Sequence, residues 1–293
     1  MNPNAVWAAA VLPIVASTGI LSDLVKTAGG DQVQVTCLAT STLDPHLYSG
    51  RNDYGSALNQ AELLVQNGLA YENTWLPVLL TKANNPKIAA QGTGVFDASE
   101  GMTLLDPPKK EGARAWADLH PMGDPHYLMD PRNAVKVLRT LGVKLGELRP
   151  EQKAYFAVQS EKAARQLEAK IRGWQKRIKP LEGKSFVSYH PSLNYFGAWL
   201  GMRPEGVFES RPGFAPEPSF LRALTDQMKK KRVTYLWIEP WRPQASAKIV
   251  AQKSKARLRE LSSDIQCEKE YVKSNQYSGF IEKNIDTLLR KFN

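Results

Sequence analysis

Cysteine is the scarcest chemically useful residue here, with two in 293 residues. Cys37 and Cys267 stand far apart and outside any C-x-x-C arrangement, which excludes a cysteine zinc knuckle and a disulfide framework. Cys37 lies in the alternating run Val33-Gln34-Val35-Thr36-Cys37-Leu38 and is expected as a buried strand thiol. The sequence leaves open whether it pairs with Cys267. There is no G-x-G-x-x-G and no Walker loop, so nucleotide binding through those motifs has no support. No G-x-S-x-G elbow marks a serine hydrolase, and no H-E-x-x-H places zinc-protease ligands on one helix. The apolar stretch from Ala5 to Ala16 is too short for a spanning helix. No lysine or arginine precedes it, the first being Lys26, so the positive start of a secretory signal is missing. The stretch reads as the remnant of a trimmed signal running into a first strand near Leu12–Ser17.

What is present fits a globular chain long enough for two domains, with 42% hydrophobic and 23% charged residues. The formal charge is +10. Its basic residues concentrate in Lys229-Lys230-Lys231-Arg232 and along 162–179, without an interleaved aromatic platform or nucleic-acid motif. A solvated basic face is the first reading and weak electrostatic docking the second; no nucleic-acid partner is expected.

Strand-like and helix-like segments alternate. Pro13-Ile14-Val15-Ala16 leads into a helix over Ile20–Ala28 that Gly29-Gly30 stops, and Val33–Leu38 follows as a strand. A helix near Asp53–Ala61, a strand at Leu63–Gln66 and a helix around Asn73–Lys82 continue the series. Segment 92–118, rich in Gly, Asp and Pro, reads as an irregular connection before a helix opened by Asp130-Pro131. From Pro150 to Lys179 the apolar residues Phe156, Ala163, Leu167, Ile171, Trp174 and Ile178 form one helical stripe. That span makes a rod of roughly 45 Å. Alternation then restarts: strands at Phe186–Tyr189, Gly206–Phe208 and Val233–Ile238, with helices at Ser192–Leu200, Phe220–Lys230, Pro243–Lys255 and Tyr277–Phe292. The pattern predicts an α/β protein with parallel sheets. Its expected division is a first lobe over 1–148, a linking helix over 149–180 and a second lobe over 181–293.

The chain has four histidines, and His46 and His126 close the same tripeptide, Asp44-Pro45-His46 and Asp124-Pro125-His126. His190 ends the apolar run Phe186-Val187-Ser188-Tyr189 and is followed by Pro191. Each alone reads as a turn or core histidine. Together, at loop positions where α/β sheets bind ligands, they read as a metal site collected from both lobes. The adjacent prolines reduce the backbone freedom lost when a ring is fixed. Asp44 and Asp124 are expected to cap their turns, to orient a ligand ring, or both. Glu239, at a strand end in Trp237-Ile238-Glu239-Pro240-Trp241, is a ligand, a base or, most simply, a hydrogen-bonded support.

Several of these segments also occur in a familiar succession. Val15-Ala16-Ser17-Thr18-Gly19-Ile20-Leu21-Ser22-Asp23-Leu24-Val25, Asp44-Pro45-His46 and Asn67-Gly68-Leu69 come first. Gly123-Asp124-Pro125-His126-Tyr127-Leu128-Met129-Asp130-Pro131-Arg132-Asn133-Ala134, Tyr189-His190 and Asn284-Ile285-Asp286-Thr287-Leu288 follow in order. The chain thus resembles the zinc- and manganese-binding solute-binding proteins of bacterial ABC importers over nearly its whole length. The resemblance implies two Rossmann-like lobes joined by a long backbone helix, with one metal in the interlobe cleft. It also implies an extracytoplasmic, monomeric, non-enzymatic protein that passes its ion to the membrane subunits of a permease. By match, His46, His126 and His190 take ligand positions, and Asp264 is the nearest counterpart of the fourth, a carboxylate before the last helix. The long His/Asp-rich loop of such proteins shrinks here to Asp118-Leu119-His120-Pro121-Met122, where His120 reads as an exposed turn residue or a capture residue. Manganese-selective relatives tend to carry a carboxylate where His190 stands, so the nitrogen-rich set suits Zn2+ better than Mn2+. The rival reading is a zinc-dependent hydrolase with a three-histidine site and a metal-bound water, for which only Glu239 or Asp264 could supply a base.

Overall fold

The structure is a computed structural model that describes residues 11–38, 54–89, 92–105, 122–209, 214–267 and 276–290. Its first half builds a sheet from β1 (Leu12–Ala16), β2 (Val33–Cys37), β3 (Leu63–Gln66) and β4 (Val95–Asp97), in the order β2-β1-β3-β4. Its second half repeats that order with β5 (Ser185–Ser188), β6 (Arg203–Val207), β7 (Tyr235–Ile238) and β8 (Arg257–Glu260), arranged β6-β5-β7-β8. Every strand pair in both sheets is parallel. The chain is thus α/β with two lobes, as the alternation predicts. Two strands were not anticipated: β4, inside the supposed irregular connection, and β8, both at sheet edges.

Parallel sheets are covered on both faces, so their central strands are apolar throughout. In β1, Ile14 and Ala16 face one core while Val15 faces another with Leu64 and Trp75. The second sheet does the same: Phe186, Tyr235 and Trp237 join the first core, while Val187, Leu236 and Ile238 face a third. Phe186 and Trp237 stack at 3.8 Å. One continuous core therefore runs under both sheets.

The helices under that core connect the lobes. They are α1 (Gly19–Gly29), α4 (Pro131–Leu148), α5 (Lys153–Ile178) and α9 (Gln276–Leu289); the short helices α2 (Tyr54–Gln60) and α3 (Leu76–Ala83) lie elsewhere. α5 has 26 residues between two 3-10 turns, and its buried stripe of Phe156, Ala163, Leu167, Ile171, Trp174 and Ile178 is the one expected. At 1.5 Å per residue it is about 39 Å long. α4 and α5 approach so closely at Gly142 that a Cβ there would lie 1.9 Å from the Ser160 hydroxyl. The polar sides of the two helices are laced by Arg139, which bonds Glu161 at 2.8 Å and Glu168 at 2.9 Å. Three further helices, α6 (Asn194–Trp199), α7 (Pro218–Lys230) and α8 (Gln244–Ser254), belong to the second half.

The last helix returns to the first lobe. The Asp23 carboxylate on α1 accepts the backbone N–H groups of Gln276 and Tyr277, and the Tyr277 hydroxyl donates to the Leu128 carbonyl at 2.6 Å. The cysteines depart from expectation. Cys37 is not a free strand thiol but is bonded to Cys267, 230 residues away. The chain leaving β8 passes the carboxyl end of β2 on its way to α9, which brings the two together. Among the described residues no helix is long and apolar enough to cross a membrane.

Candidate metal centre

His126 and His190 come from different halves of the sequence, and their rings meet at 5.5 Å between centroids, nearly perpendicular. His190 stands just beyond β5 with extended backbone (φ −119°, ψ 156°), and Pro191 opens a 3-10 turn behind it. His126 is carried not by a strand end but by the turn before the 3-10 segment Tyr127–Met129, which leads into α4.

That turn is fastened on several sides. After β3 the chain turns sharply through Asn67-Gly68, and Gly68 has φ 79° with the Asp97 carboxylate 2.0 Å from where a Cβ would sit. The Asn67 side chain donates to the Pro125 carbonyl at 2.9 Å, and the Tyr127 hydroxyl donates to the Asn67 carbonyl at 2.9 Å. The Glu72 carboxylate accepts the N–H groups of Asn67 and Gly68 at 2.6 and 3.2 Å. Burial pushes Glu72 up to about 7, and those same hydrogen bonds pull against the rise. From the second lobe, the Tyr195 hydroxyl reaches the Asp124 carbonyl at 3.3 Å.

Each imidazole has a carboxylate at Nδ1. Asp124 Oδ1 accepts the His126 backbone N–H at 2.9 Å and meets His126 Nδ1 at 2.8 Å. It therefore caps the turn and orients the ring, both of the uses expected of it. His190 Nδ1 meets Glu209 Oε1, and both side chains are buried. A carboxylate at Nδ1 favours the tautomer that presents an Nε2 lone pair, the arrangement by which histidine is turned toward a metal.

Glu209 belongs to a buried cluster. Arg242 lies 3.4 Å from Glu209 and 3.9 Å from Glu239, and its guanidinium stands over the Tyr189 ring at 5.3 Å. The Ser192 hydroxyl donates to Glu239. Glu239 thus carries the hydrogen bond that the simplest of its three readings expects. Glu209 was missed by the sequence reading. Its signal is the one that drew attention to Glu239: a carboxylate directly after an apolar strand segment.

Asp264 comes from the segment after β8 and caps α1. Its Oδ1 accepts the N–H groups of Ile20 and Ile265 at 2.9 and 2.8 Å, and Oδ2 accepts Gly19 N–H at 3.2 Å. The approach requires glycine at 19, where a Cβ would lie 1.7 Å from the Ile265 carbonyl oxygen. Burial raises Asp264 to about 6, offset by these bonds and by the nearby His126. Asp264 and His126 share a cavity of about 20 Å³ with Thr18, Asn67 and Tyr71. That volume suits a single water or ion.

The structure therefore brings His126 and His190 together and sets Asp264 against the same cavity as His126. Among the described residues no three His, Cys, Asp or Glu side chains close into a metal-holding group. His46, the remaining expected ligand, and His120 lie outside the described residues.

A family model described as zinc-uptake complex component A, periplasmic (ZnuA), matches residues 14–291. The zinc-binding lipoprotein AdcA of Streptococcus pneumoniae is 24% identical over 91% of this chain, which spans 53% of that relative. The manganese ABC transporter substrate-binding lipoprotein PsaA of the same species is 21% identical, over 96% of this chain and 89% of its own. A crystal structure of ZnuA superimposes with TM-score 0.77 at 22% identity, covering 95% of this chain and 98% of that one. This chain thus shares its two-lobed fold with ZnuA.

Proposed function

Because the chain belongs to the family of periplasmic zinc-uptake complex component A proteins, and relatives are named as metal ABC transporter substrate-binding lipoproteins, we propose that it is a zinc receptor. In this reading it binds one Zn2+ with high affinity outside the cytoplasm and hands it to the membrane subunits of a permease. The proposed ligands are His46, His126, His190 and Asp264, with the first lobe over 1–148, the bridge over 149–180 and the second lobe over 181–293.

The observation that carries the reading is the pair of converging histidines, each backed at Nδ1 by a carboxylate and each from a different lobe. Imidazole nitrogen favours zinc over the harder manganese ion. Asp264 accepts one N–H at Oδ2, so that oxygen keeps a lone pair for a cation while the helix stays capped. Among the described residues the small cavity beside His126 has the size of an ion, which favours a carrier over the hydrolase reading.

Competition titration of chelator-stripped protein with Zn2+ and Mn2+ tests the proposal. One zinc per chain, bound more tightly than manganese, is the expected result. Two equal tight sites, or a preference for manganese, would overturn it.

A further inference from the structure

The second sheet carries a cation-lined cleft at the end opposite His190. His190 and Glu239 follow the carboxyl ends of β5 and β7. At the amino ends, where Lys184 precedes β5 and Arg257 opens β8, lies a cleft of about 560 Å³. Six cations line it: Lys184, Lys229, Arg232, Lys253, Lys255 and Arg257. No carboxylate is among the described residues of its wall. Lys229 reaches Asp226 on its own helix at 3.6 Å.

Helix ends account for part of this charge. α7 and α8 both terminate at the cleft, and Lys229 and Lys253 in their last turns complement the negative ends of the helix dipoles. Lys184 and Arg257 sit at strand starts, where no such need exists. The backbone supplies a second, independent sign. Arg232 has φ 50° and Lys255 φ 62°, the left-handed region just past a helix end where glycine is the ordinary occupant. Both positions carry a long cation instead, against local backbone preference. Two of the five described non-glycine residues with positive φ thus stand at the rim of one cleft.

We propose that this cleft binds a compact, multiply charged oxyanion of the oligophosphate class. Six cations around one concavity exceed what a single monoanion can engage. The concave shape also matches a discrete anion better than a flat bilayer. Arginine supplies paired donors for phosphate oxygens, and the lysines supply point charges around them.

Titration calorimetry with inorganic tripolyphosphate tests the site at physiological salt, using the full chain and the double variant Arg232→Gly/Lys255→Gly. Glycine relieves the left-handed strain, so this variant is expected to melt at a higher temperature while losing two cleft cations. The parent should bind one tripolyphosphate per chain, and the variant should bind it at least about tenfold more weakly, as expected for two lost charge-assisted contacts. Lys162→Gln/Lys176→Gln on α5 removes equal charge elsewhere and should leave binding unchanged. Equal weakening in both variants would reduce the effect to net charge and overturn the proposal. So would unaltered binding in the glycine variant. Association with phosphatidylglycerol vesicles but not with tripolyphosphate would assign the cleft to a membrane surface and overturn it as well.

Discussion

In the first lobe the buried carboxylates Asp23 and Glu72 are answered chiefly by backbone N–H groups, with the Ser17 hydroxyl added at Glu72, whereas in the second Glu209 and Glu239 are answered by His190, Ser192 and Arg242. The two sheets share one strand order, so the difference is not topological. It lies in where each lobe keeps its polar groups. The first lobe buries acids at chain turns, where N–H groups converge. The second buries a charged cluster beside a strand end, with a cation inside it. Removing one member of such a cluster leaves the others uncompensated, which is costly in a desolvated site. The same asymmetry holds for the histidines: Asp124 is two residues from His126, while Glu209 is 19 from His190 and more deeply buried.

The largest effects should come from the histidines themselves. His126→Ala and His190→Ala are each expected to weaken zinc binding by more than about 100-fold, beyond the usual loss for a supporting residue. Chelator competition measures this directly. Loss from one substitution but not the other would mean that the site belongs to one lobe.

The supporting carboxylates come next. Asp124→Asn and Glu209→Gln should each lower zinc affinity by roughly 10- to 100-fold. Glu209→Gln should also destabilise the metal-free protein by about 3 kcal/mol, since it removes the buried carboxylate that Arg242 and His190 Nδ1 both face. Asp124, partly reached by solvent and adjacent in sequence to its partner's turn, should cost less. Urea unfolding of the two variants compares them, and equal costs would show that burial does not separate the lobes.

Much of this comparison was legible in the sequence, and the illegible parts share a cause. α5 and α4 were readable because a helical stripe is written into consecutive residues. β1 and β3 were readable as apolar runs bounded by turn residues. β4 and β8 were not: Val95-Phe96-Asp97 is short, and Arg257-Leu258-Arg259-Glu260 has one apolar residue. Each is an edge strand, defined by register with one neighbour and not by its own pattern. The paired tripeptides singled out His126 and the strand end singled out His190, whose rings the structure brings to 5.5 Å. The pairing of Glu209 with His190 spans 19 residues and the Cys37–Cys267 bond 230, and no local pattern encodes either partnership.

The disulfide tests whether the second-half segment carrying Asp264 is held to the first lobe by covalent linkage or by packing. Cys267 lies three residues beyond Asp264, and Cys37 ends β2. Replacing both cysteines by serine should lower stability by about 2–4 kcal/mol, the usual range for a native bridge. Zinc affinity should fall much less, because Asp264 keeps its bonds to Gly19 and Ile20 and α9 keeps its anchors on Asp23 and Leu128. A larger loss in affinity than in stability would make the bridge the element that positions Asp264.

The response to pH belongs to the first lobe. Glu72 rises from 4.5 to about 7 and Asp23 from 3.8 to about 6, in each case because burial disfavours the charged form. A raised acid holds its proton more tightly in the folded state. Its stabilising contribution is therefore complete below the unfolded value and is lost as pH climbs through the folded one. For Glu72 that window runs from 4.5 to about 7, and the loss is on the order of 3 kcal/mol. Metal-free protein should accordingly show falling urea midpoints across this range. Glu72→Gln should be less stable throughout, since its NH2 group would face one of the two N–H groups that the separate carboxylate oxygens accept, yet its midpoint should vary less with pH. If the slope survives that substitution unchanged, the pH response does not come from the Asn67-Gly68 turn.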